Sequence, residues 1–366
     1  MARIRSIDTM NWTRHRERNQ HWERNRYGER NQHLGVKLNI NDVALALGIS
    51  KGTVSRAITG NGRIAASTRQ MVLDYMAQNN YHPNTIAQSL SRRKTMNLAF
   101  TVPDDRELTQ LPFFLQCLVG ARAKALRNDY DILVVNNTDS DVSRVVSRQK
   151  VDGVIVSRNL VGSSLLGHLA QTNLPFVLIG TTKIPNVLQI DHDHRAACRE
   201  LTDLMLQRWH GKPGLIAGSR SHLVSRARAK GFSEAAGAAP IIWGATDERS
   251  IIAAFHELRQ AGVDIFFCED DMICGHLENN LRTGRLGVSL DEIRVASFYD
   301  SPTLEALTPA VPVVHINAFE LGERACSMVL ARIAGEHQDN VLLGFEVDMR
   351  EGNPAATVAD STRQRR

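Results

Sequence analysis

The stretch Gly48-Ile-Ser-Lys-Gly-Thr-Val-Ser-Arg-Ala-Ile58, "GISKGTVSRAI", decides the fold of the amino-terminal part of the chain. Its Gly, Lys and Thr look like pieces of a nucleotide phosphate loop, which needs Gly-x-x-x-x-Gly-Lys-Ser/Thr after a buried strand. Here Lys51 precedes Gly52, three residues separate the two glycines, and residues 42–47 have helical spacing. The pattern therefore argues against a nucleotide loop and predicts a helix that begins after Ser50.

Apolar residues recur at helical spacing on both sides of this stretch and predict three short helices. We expect Gly48 to end the first helix, Ser50 to cap the second, and Ser67 to cap the third with Gln70 in capping-box position. The predicted inner faces are Val43, Ala44 and Leu47, then Val54, Ala57 and Ile58, then Val72, Leu73 and Met76. The tight turn between the first two helices makes a helix-turn-helix unit.

Charge is divided unequally along the 366 residues. Residues 1–95 hold 16 Lys and Arg against 6 Asp and Glu, and the rest of the chain holds 28 against 33. A basic segment on a mildly acidic body is typical of a nucleic-acid-binding module joined to another domain. The second helix would then enter the major groove, where Lys or Arg pairs with guanine.

Composition excludes several classes of protein. The mean hydropathy is -0.24 and no apolar run reaches about 18 residues, so we expect no membrane span. No apolar segment follows the first arginines, so a secretory signal is not expected and the protein should be cytoplasmic. The five cysteines are scattered without a Cys-x-x-Cys pair, which predicts reduced, buried thiols.

Residues 1–36 repeat Glu-Arg-Asn three times, at 17–19, 23–25 and 29–31. The segment is rich in Arg, Asn, His and Gln and cannot bury a core, so we expect disorder. Two interpretations stay open: a basic arm that adds non-specific affinity for DNA, or sequence upstream of a start codon at Val36.

Beyond residue 96, short β-rich runs alternate with amphipathic helices. The predicted strands are Asn97–Val102, Asp131–Asn136, Gly153–Ser157, Phe176–Thr181, Gly214–Gly218, Ile241–Gly244, Asp264–Cys268, Arg294–Phe298 and Pro312–Ile316. This alternation predicts an α/β body of two doubly wound parallel sheets. The two sheets should divide near His192–Asp193, with a return crossing near Pro312.

A distinctive pattern combines Asp42-Val43-Ala44, Gly48-Ile49-Ser50, Thr53-Val54-Ser55-Arg56, Thr68-Arg69 and Tyr81-x-Pro83-Asn84, then Ala87 and Leu90. The body adds "VDGVIV" at 151–156, "ARAKGF" at 227–232 and "VLLGFEVDMREG" at 341–352. Over residues 38–352 the chain resembles the LacI/GalR family of bacterial repressors. The resemblance implies a helix-turn-helix head, a hinge helix and a two-subdomain body similar to periplasmic binding proteins.

The resemblance also implies the domain boundaries and the residues that contact DNA. The expected domains are a disordered basic extension (1–36), the DNA-binding domain (37–82), the hinge helix and linker (83–95), the effector-binding and dimerisation body (96–352), and a polar tail (353–366). Lys51, Gly52 and Arg56 would face base edges, and Thr53, Ser55 and Asn61 would hold phosphates. The hinge helix would enter the minor groove through Asn84, Ala87 and Leu90. Leu90 would wedge into the central base step, unless it packs on the head.

The effector site follows from the same resemblance. Arg228 matches the family arginine that binds ligand hydroxyls, and the other expected members are Ser157, Glu269, Asp270, Tyr299 and Asp300. Glu269-Asp270 stands where the family usually has Asn-Asp. If Glu269 faces the cleft it adds an acceptor or a negative charge, which makes a phosphorylated ligand less obvious.

Other residue groups point to weaker alternatives. Three consecutive acids from Glu269 could suggest an acid/base pair, but neighbours in sequence need not face one another. Asp191-His-Asp-His194 could suggest a metal site, yet it reads more simply as a strand end followed by a helix start. Trp243 could stack on a sugar or pack in the core. We therefore expect no enzyme activity, no metal and no cofactor.

These observations predict a transcription regulator, a repressor of a carbohydrate or related catabolic operon. It would bind pseudo-palindromic operator DNA as a homodimer or tetramer, associated with the bacterial nucleoid. A small effector (a sugar, sugar phosphate or sugar acid) would control it, as inducer or corepressor. The alternative from another class is a cytoplasmic sugar-binding module that does not regulate DNA.

Overall fold

Three helices form the head, the first of two units into which the chain divides between Lys94 and Thr95. They are α1 (Ile40–Leu47), α2 (Lys51–Thr59) and α3 (Ala66–Gln78). The structure, a computed structural model, describes residues 38–60, 62–82, 94–103, 112–289, 292–307 and 310–350. The expected basic extension, nearly all of the expected hinge helix and the expected polar tail lie outside the described residues.

Local hydrogen bonds set the ends of the first two helices. Gly48 ends α1 in the left-handed conformation, with φ 66°. Ser50 begins α2, and its hydroxyl accepts the Thr53 N–H at 3.1 Å. Both predictions are confirmed. The prediction of Ser67 as the cap of the third helix is wrong, because the cap position is Ala65, two residues earlier, and it makes no side-chain cap bond.

The core of the head lies between the inner faces of these three helices. Its buried members are Val43, Ala44, Val54, Ala57, Val72 and Tyr81. Leu73 was expected among them but is 37% exposed, because the buried face of α3 is narrow and centred on Val72. Six buried side chains are enough to fix three short helices that would be marginal alone.

Two six-stranded sheets form the body. The first sheet has the order β11-β5-β4-β3-β1-β2, and the second has the order β12-β10-β9-β8-β6-β7. The strands are β1 (Asn97–Val102), β2 (Asp131–Asn136), β3 (Gly153–Val156), β4 (Phe176–Ile179), β5 (Gln189–His192), β6 (Pro213–Ala217), β7 (Ile241–Trp243), β8 (Ile265–Cys268), β9 (Arg294–Ser297), β10 (Val313–His315), β11 (Val341–Leu343) and β12 (Glu346–Asp348).

All nine predicted strands are present, with ends that differ by no more than two residues. The pairs are parallel except β10–β12, which is antiparallel. The prediction missed β5 and the short strands β11 and β12, although the residues of the last two were noted for their family resemblance.

Helices cover both faces of each sheet. They are α4 (Pro112–Leu126), α5 (Asp139–Ser147), α6 (Leu165–Ala170), α7 (His194–Arg208), α8 (Leu223–Ala236), α9 (Glu248–Gln260), α10 (Asp271–Arg282), α11 (Pro302–Glu305) and α12 (Ala318–Ile333). None of the described helices is long and apolar enough to cross a bilayer. All five cysteines are buried and free, as predicted.

The chain passes three times between the two lobes of the body. We call residues 95–192 and 317–343 the first lobe and residues 193–316 and 345–350 the second lobe. The first crossing follows His192, as predicted. The return crossing comes after β10, a few residues later than Pro312, because β10 still belongs to the second sheet. The third crossing, at Gly344 between β11 and β12, was not predicted.

Glycines allow helices α4 and α12 to pack at backbone distance in the first lobe. A Cβ at Gly322 would overlap the backbone carbonyl of Cys117, and one at Gly120 would overlap that of Phe319. Since backbone cannot rotate away as a side chain does, these two positions have no room for a larger residue.

We predict that Gly322→Ala costs about 3 kcal/mol of unfolding free energy or more, the upper part of the range for overpacked cores. Urea denaturation followed by circular dichroism measures the loss. Gly167→Ala is the matched control, because Gly167 lies in α6 with no atom within 4 Å of an added Cβ. Equal stability of the two variants would contradict the close-packing argument.

Candidate functional site

Helix α2 presents the predicted DNA-contacting residues on its outer side. Lys51, Gly52 and Arg56 are exposed, while Thr53 and Ser55 are half-buried. Asn61, Asn84, Ala87 and Leu90 lie outside the described residues. The exposed part of α2 therefore offers two cations close together on one short helix.

Arg56 lies back along its own helix. Its Nε donates to the carbonyl oxygen of Gly52 at 3.1 Å. A Cβ built at Gly52 would meet the Arg56 Nη2 at 3.7 Å, which is an ordinary contact, so the head does not require glycine there. Gly52 thus has no side chain for reading a base, and its carbonyl orients the neighbouring arginine.

A cavity of about 360 Å³ lies between the two lobes of the body. The first lobe lines it with Phe113, Phe114, Ser157, Arg158, Asn159, Ile179, Gly180, Thr181, Asp191, His192 and Leu342. The second lobe lines it with Asp193, His194, Arg195, His222, Leu223, Val224, Ala227, Arg228, Glu269, Asp270, Asp271 and Tyr299. Aromatic rings beside many polar groups are typical of small-molecule sites.

Several of these residues stand where parallel strands end. Ser157 follows β3, His192 ends β5, and Glu269 follows β8, while Tyr299 lies just beyond β9. Ligands of open α/β sheets bind in the crevice outside the carboxyl ends of the strands. The topology alone therefore brings these side chains to one place from distant parts of the sequence.

The side chain of Glu269 joins two elements of the second lobe. One carboxylate oxygen accepts the Gly218 N–H at 2.6 Å, and the other accepts the Ser225 hydroxyl. The backbone carbonyl of Glu269 accepts from Arg228 Nη1 at 2.8 Å. Glu269 therefore fixes Arg228 against the cavity, and its own carboxylate is occupied by protein donors.

Arg228 is 7% exposed and lies with its guanidinium carbon 6.0 Å from the centre of the Tyr299 ring. Its Nε has no hydrogen-bond partner among the described residues. Arg228 therefore keeps an unused Nε–H donor beside the cavity, and an unpaired buried donor is costly. In the first lobe, the Ser157 hydroxyl is likewise buried and without a partner in the described part of the chain.

The three consecutive acids of this wall carry raised pKa values. Burial, together with the charge of Asp270, raises the pKa of Glu269 to about 7. The same causes raise the pKa of Asp271 to about 6. Burial also raises the pKa of Asp270, whose side chain caps α10 by accepting the Ile273 N–H at 2.9 Å. These three acids therefore hold their protons more readily than exposed acids do, which reduces the negative charge of the wall near neutral pH.

Both units match profiles of known protein families. Residues 39–84 match "Bacterial regulatory proteins, lacI family". Residues 95–347, more than half of the chain, match "Periplasmic binding proteins and sugar binding domain of LacI family". The chain belongs to the LacI family.

Relatives of this LacI-family chain include a transcriptional regulator and a catabolite control protein. It is 26% identical over 325 residues to the HTH-type transcriptional regulator MalR of Streptococcus pneumoniae serotype 4, covering 83% of this chain and 94% of the relative. It is 22% identical over 331 residues to catabolite control protein A of Staphylococcus aureus, covering 86% of this chain and 98% of the relative.

Solved structures of similar fold include the lac repressor dimer bound to operator and the anti-inducer ONPF. That likeness has a TM-score of 0.74 and 20% identity, and it covers 86% of this chain and 99% of the repressor chain. A second similar structure is the complex of the transcriptional regulator CelR with cellobiose, with a TM-score of 0.63 and 23% identity. It covers 87% of this chain and 100% of the CelR chain. At these identities, the likeness shows the fold alone.

Five of the six predicted effector residues line the LacI-family cavity: Ser157, Arg228, Glu269, Asp270 and Tyr299. Asp300 does not. Its carboxylate is buried and pairs with Arg350 in the second lobe, so the structure gives it a stabilising contact in place of a ligand-facing position. The assignment of these residues to an effector stays a prediction.

Sequence reasoning missed Phe113, Arg158 and the histidines of the cavity. The signal that could have found His192 is strand β5, which was not predicted. Asp191–His194 is indeed a strand end followed by a helix start, since Asp193 caps α7. No cluster of three or more potential metal ligands occurs within the described residues. Trp243 is half-buried under Arg220 and does not line the cavity.

We predict that Glu269→Gln makes stability less dependent on pH. The folded-state pKa of Glu269 is about 7, above its ordinary 4.5, so its stabilising contribution is complete below about pH 4.5 and is lost as pH rises towards 7. Glutamine can accept from the Gly218 N–H and donate to the Ser225 hydroxyl without any charge.

The measurement is the free energy of unfolding of both proteins at pH 5 and pH 8. Relative to the native protein, the variant should gain about 2 kcal/mol on going to pH 8, since one pKa unit corresponds to about 1.4 kcal/mol. A difference that stays constant with pH would show that Glu269 does not titrate in this range.

Proposed function

We propose that this chain is a sequence-specific repressor that binds a pseudo-palindromic operator as a homodimer and responds to a small sugar. One observation carries the proposal: the same chain joins a helix-turn-helix head with exposed cations to a body with a polar and aromatic cavity. It acts in the cytoplasm on chromosomal DNA, and binding, not chemistry, is its task. The match of the body to the sugar binding domain of the LacI family supports a role in carbohydrate metabolism.

The head reads DNA through few side chains. Lys51 and Arg56 are the cations exposed on α2, and Gly52 between them contributes none. Thr53 and Ser55 hold phosphates, which position the helix without specifying sequence. Arg56 makes the main base contact, because a guanidinium can pair with two acceptors of guanine at once.

Two-fold symmetry of the operator requires a two-fold symmetric protein. The first lobe supports this through an exposed apolar surface on α4 and on β2, the last strand of its sheet. It consists of Leu115, Val119, Leu126 and Val134, of which Leu115 is 53% and Val119 is 47% exposed. A second copy of the chain would cover this surface.

We predict that Arg56→Ala weakens specific DNA binding by about tenfold to a hundredfold, the worth of one good bidentate base contact. The probe is the duplex that the native protein selects from a random pool, and fluorescence anisotropy at several salt concentrations gives the affinity. Arg249→Ala is the control, because it removes the same charge from an exposed site on α9 in the body.

The native protein should bind the full palindrome far more tightly than one half-site, with affinity that falls steeply as salt rises. Salt-independent or absent DNA binding by the folded protein would reject the repressor and favour a sugar-binding module without regulatory work. Equal losses in Arg56→Ala and Arg249→Ala would reject a base contact by Arg56.

The effector is an uncharged sugar. The cavity offers hydrogen-bonding groups and aromatic faces from both lobes, which suits a ring with hydroxyl groups. The lining of the cavity holds five acids, Asp191, Asp193, Glu269, Asp270 and Asp271, against three arginines, Arg158, Arg195 and Arg228. A phosphate or carboxylate on the ligand would meet this excess of acidic groups, so an anionic sugar is disfavoured.

We predict that a neutral sugar from a panel of glucose, maltose and cellobiose raises the melting temperature by about 5 °C at roughly 100 times its Kd. Glucose 6-phosphate and gluconate should give no comparable shift. Arg228→Ala should abolish the shift, measured against the melting temperature of each variant without ligand. Arg220→Ala is the control in the same lobe, because Arg220 lies on Trp243 outside the cavity.

No shift with any neutral sugar, or a larger shift with the anionic ones, would reject this effector class. Repeating the DNA titration in the presence of the sugar that binds then shows whether the sugar weakens or strengthens DNA binding. A sugar that prefers one arrangement of the lobes changes DNA affinity by the ratio of its own affinities for the two arrangements. Weakened DNA binding identifies an inducer, and strengthened binding a corepressor.

A further inference from the structure

His192 contacts both the cavity and the third crossing between the lobes. It is the last residue of β5 and lines the cavity. Its Nδ1 lies 2.6 Å from the carbonyl oxygen of Gly344, the residue between β11 in the first lobe and β12 in the second. One side chain therefore links the wall of the ligand site to a point where the chain changes lobe.

The hydrogen bond to Gly344 fixes the state of the imidazole ring. A carbonyl oxygen only accepts, so Nδ1 carries the hydrogen. Burial lowers the pKa of His192 and favours the neutral ring. With hydrogen on Nδ1, the neutral ring has a lone pair on Nε2, which can only accept.

The acceptor Nε2 of His192 is buried and has no partner among the described residues. A buried acceptor without a partner is costly, and native proteins usually satisfy such atoms. The partner that fits is a hydroxyl or N–H group of a molecule in the cavity. A carboxylate or phosphate without hydrogen does not fit, because it also only accepts.

Gly344 is a suitable hinge. Its φ lies outside the left-handed region and no atom lies within 4 Å of an added Cβ, so the arrangement seen here does not require glycine. Glycine nevertheless permits backbone conformations that other residues reach only with strain. A hinge between lobes needs a few such residues at the ends of secondary structure elements.

We propose that His192 couples the ligand to the hinge: Nε2 accepts a hydrogen from a ligand hydroxyl, and Nδ1–H holds the carbonyl of Gly344. A bond to Nε2 polarises the ring and strengthens the bond from Nδ1, because linked hydrogen bonds reinforce one another. Ligand binding thereby restrains the third crossing. The ligand bond to Nε2 rests on the proposed function, because it assumes a sugar in the cavity. The bond from Nδ1 to Gly344 does not depend on any ligand.

Two substitutions of His192 distinguish the role of Nδ1 from that of Nε2. The amide nitrogen of asparagine is attached to Cγ, as Nδ1 is, so His192→Asn keeps a donor for Gly344 and leaves the Nε2 position empty. The amide of glutamine lies one atom further out, so His192→Gln keeps a polar group at the Nε2 position and loses the donor to Gly344. His168→Asn is the control, since His168 is an exposed histidine of the first lobe.

Hydrogen exchange of peptides spanning residues 341–348, without ligand, tests the contact with Gly344. His192→Gln should speed exchange there by about tenfold, the worth of one hydrogen bond. His192→Asn and the control should exchange like the native protein. Unchanged exchange in His192→Gln, or an equal rise in His192→Asn, would overturn the coupling whatever the protein binds.

Sugar affinity, measured by calorimetry with the neutral sugar that shifts the native protein most, tests Nε2. His192→Asn should weaken binding by about tenfold, and His192→Gln should recover most of that loss. The native protein with sugar should exchange more slowly at 341–348, and His192→Asn should lose this slowing. Equal affinities of His192→Asn and the native protein would overturn the role of Nε2.

Failure of the proposed function gives a different result. If glucose, maltose and cellobiose all fail to bind the native protein, the sugar effector and the ligand role of Nε2 are both wrong. The exchange result without ligand then decides alone whether His192 holds the third crossing.

Discussion

The second lobe depends on the hydrogen bonds of one buried acid, Glu269. Its two carboxylate oxygens hold the Gly218 N–H and the Ser225 hydroxyl, and its carbonyl holds Arg228. These contacts add to the backbone bonds between β6 and β8 and join the ends of both strands to the start of α8. These bonds use one lone pair on each carboxylate oxygen of Glu269 and fix the acid in the wall of the cavity. Arg228, held in this way, keeps its Nε–H available to a ligand in the cavity.

Local chemistry explains which parts of the fold could be predicted from the sequence. Gly48 and Ser50 define the turn of the head by contacts within a few residues, and that turn was predicted correctly. The third helix has no side-chain cap, so Ser67 was a misleading signal. Strands β11 and β12 lie only two residues apart, so no turn signal separates them into two strands in the sequence. The third crossing between the lobes was lost with them, and with it the environment of His192.

The site was predictable where it follows strand ends and family resemblance, and not where it depends on long-range pairing. Ser157 and Tyr299 were predicted from the family resemblance, and the structure places both just beyond the ends of strands. Asp300 is next to Tyr299 in sequence, but Arg350, fifty residues later, draws its carboxylate into the second lobe. No local pattern reports such a pair.

Two glycines, Gly52 in the head and Gly344 in the body, stand beside the groups that the proposed function uses for DNA recognition and for motion between the lobes. At Gly52 the absence of a side chain leaves the exposed surface of α2 to Lys51 and Arg56, with the glycine carbonyl orienting the arginine. At Gly344 no atom lies within 4 Å of an added Cβ, and His192 holds the carbonyl of this residue at the third crossing. Neither position needs glycine in the conformation seen here. Under the proposed function, the missing side chain at Gly52 lets α2 approach DNA closely, and at Gly344 it gives the backbone freedom that a hinge uses.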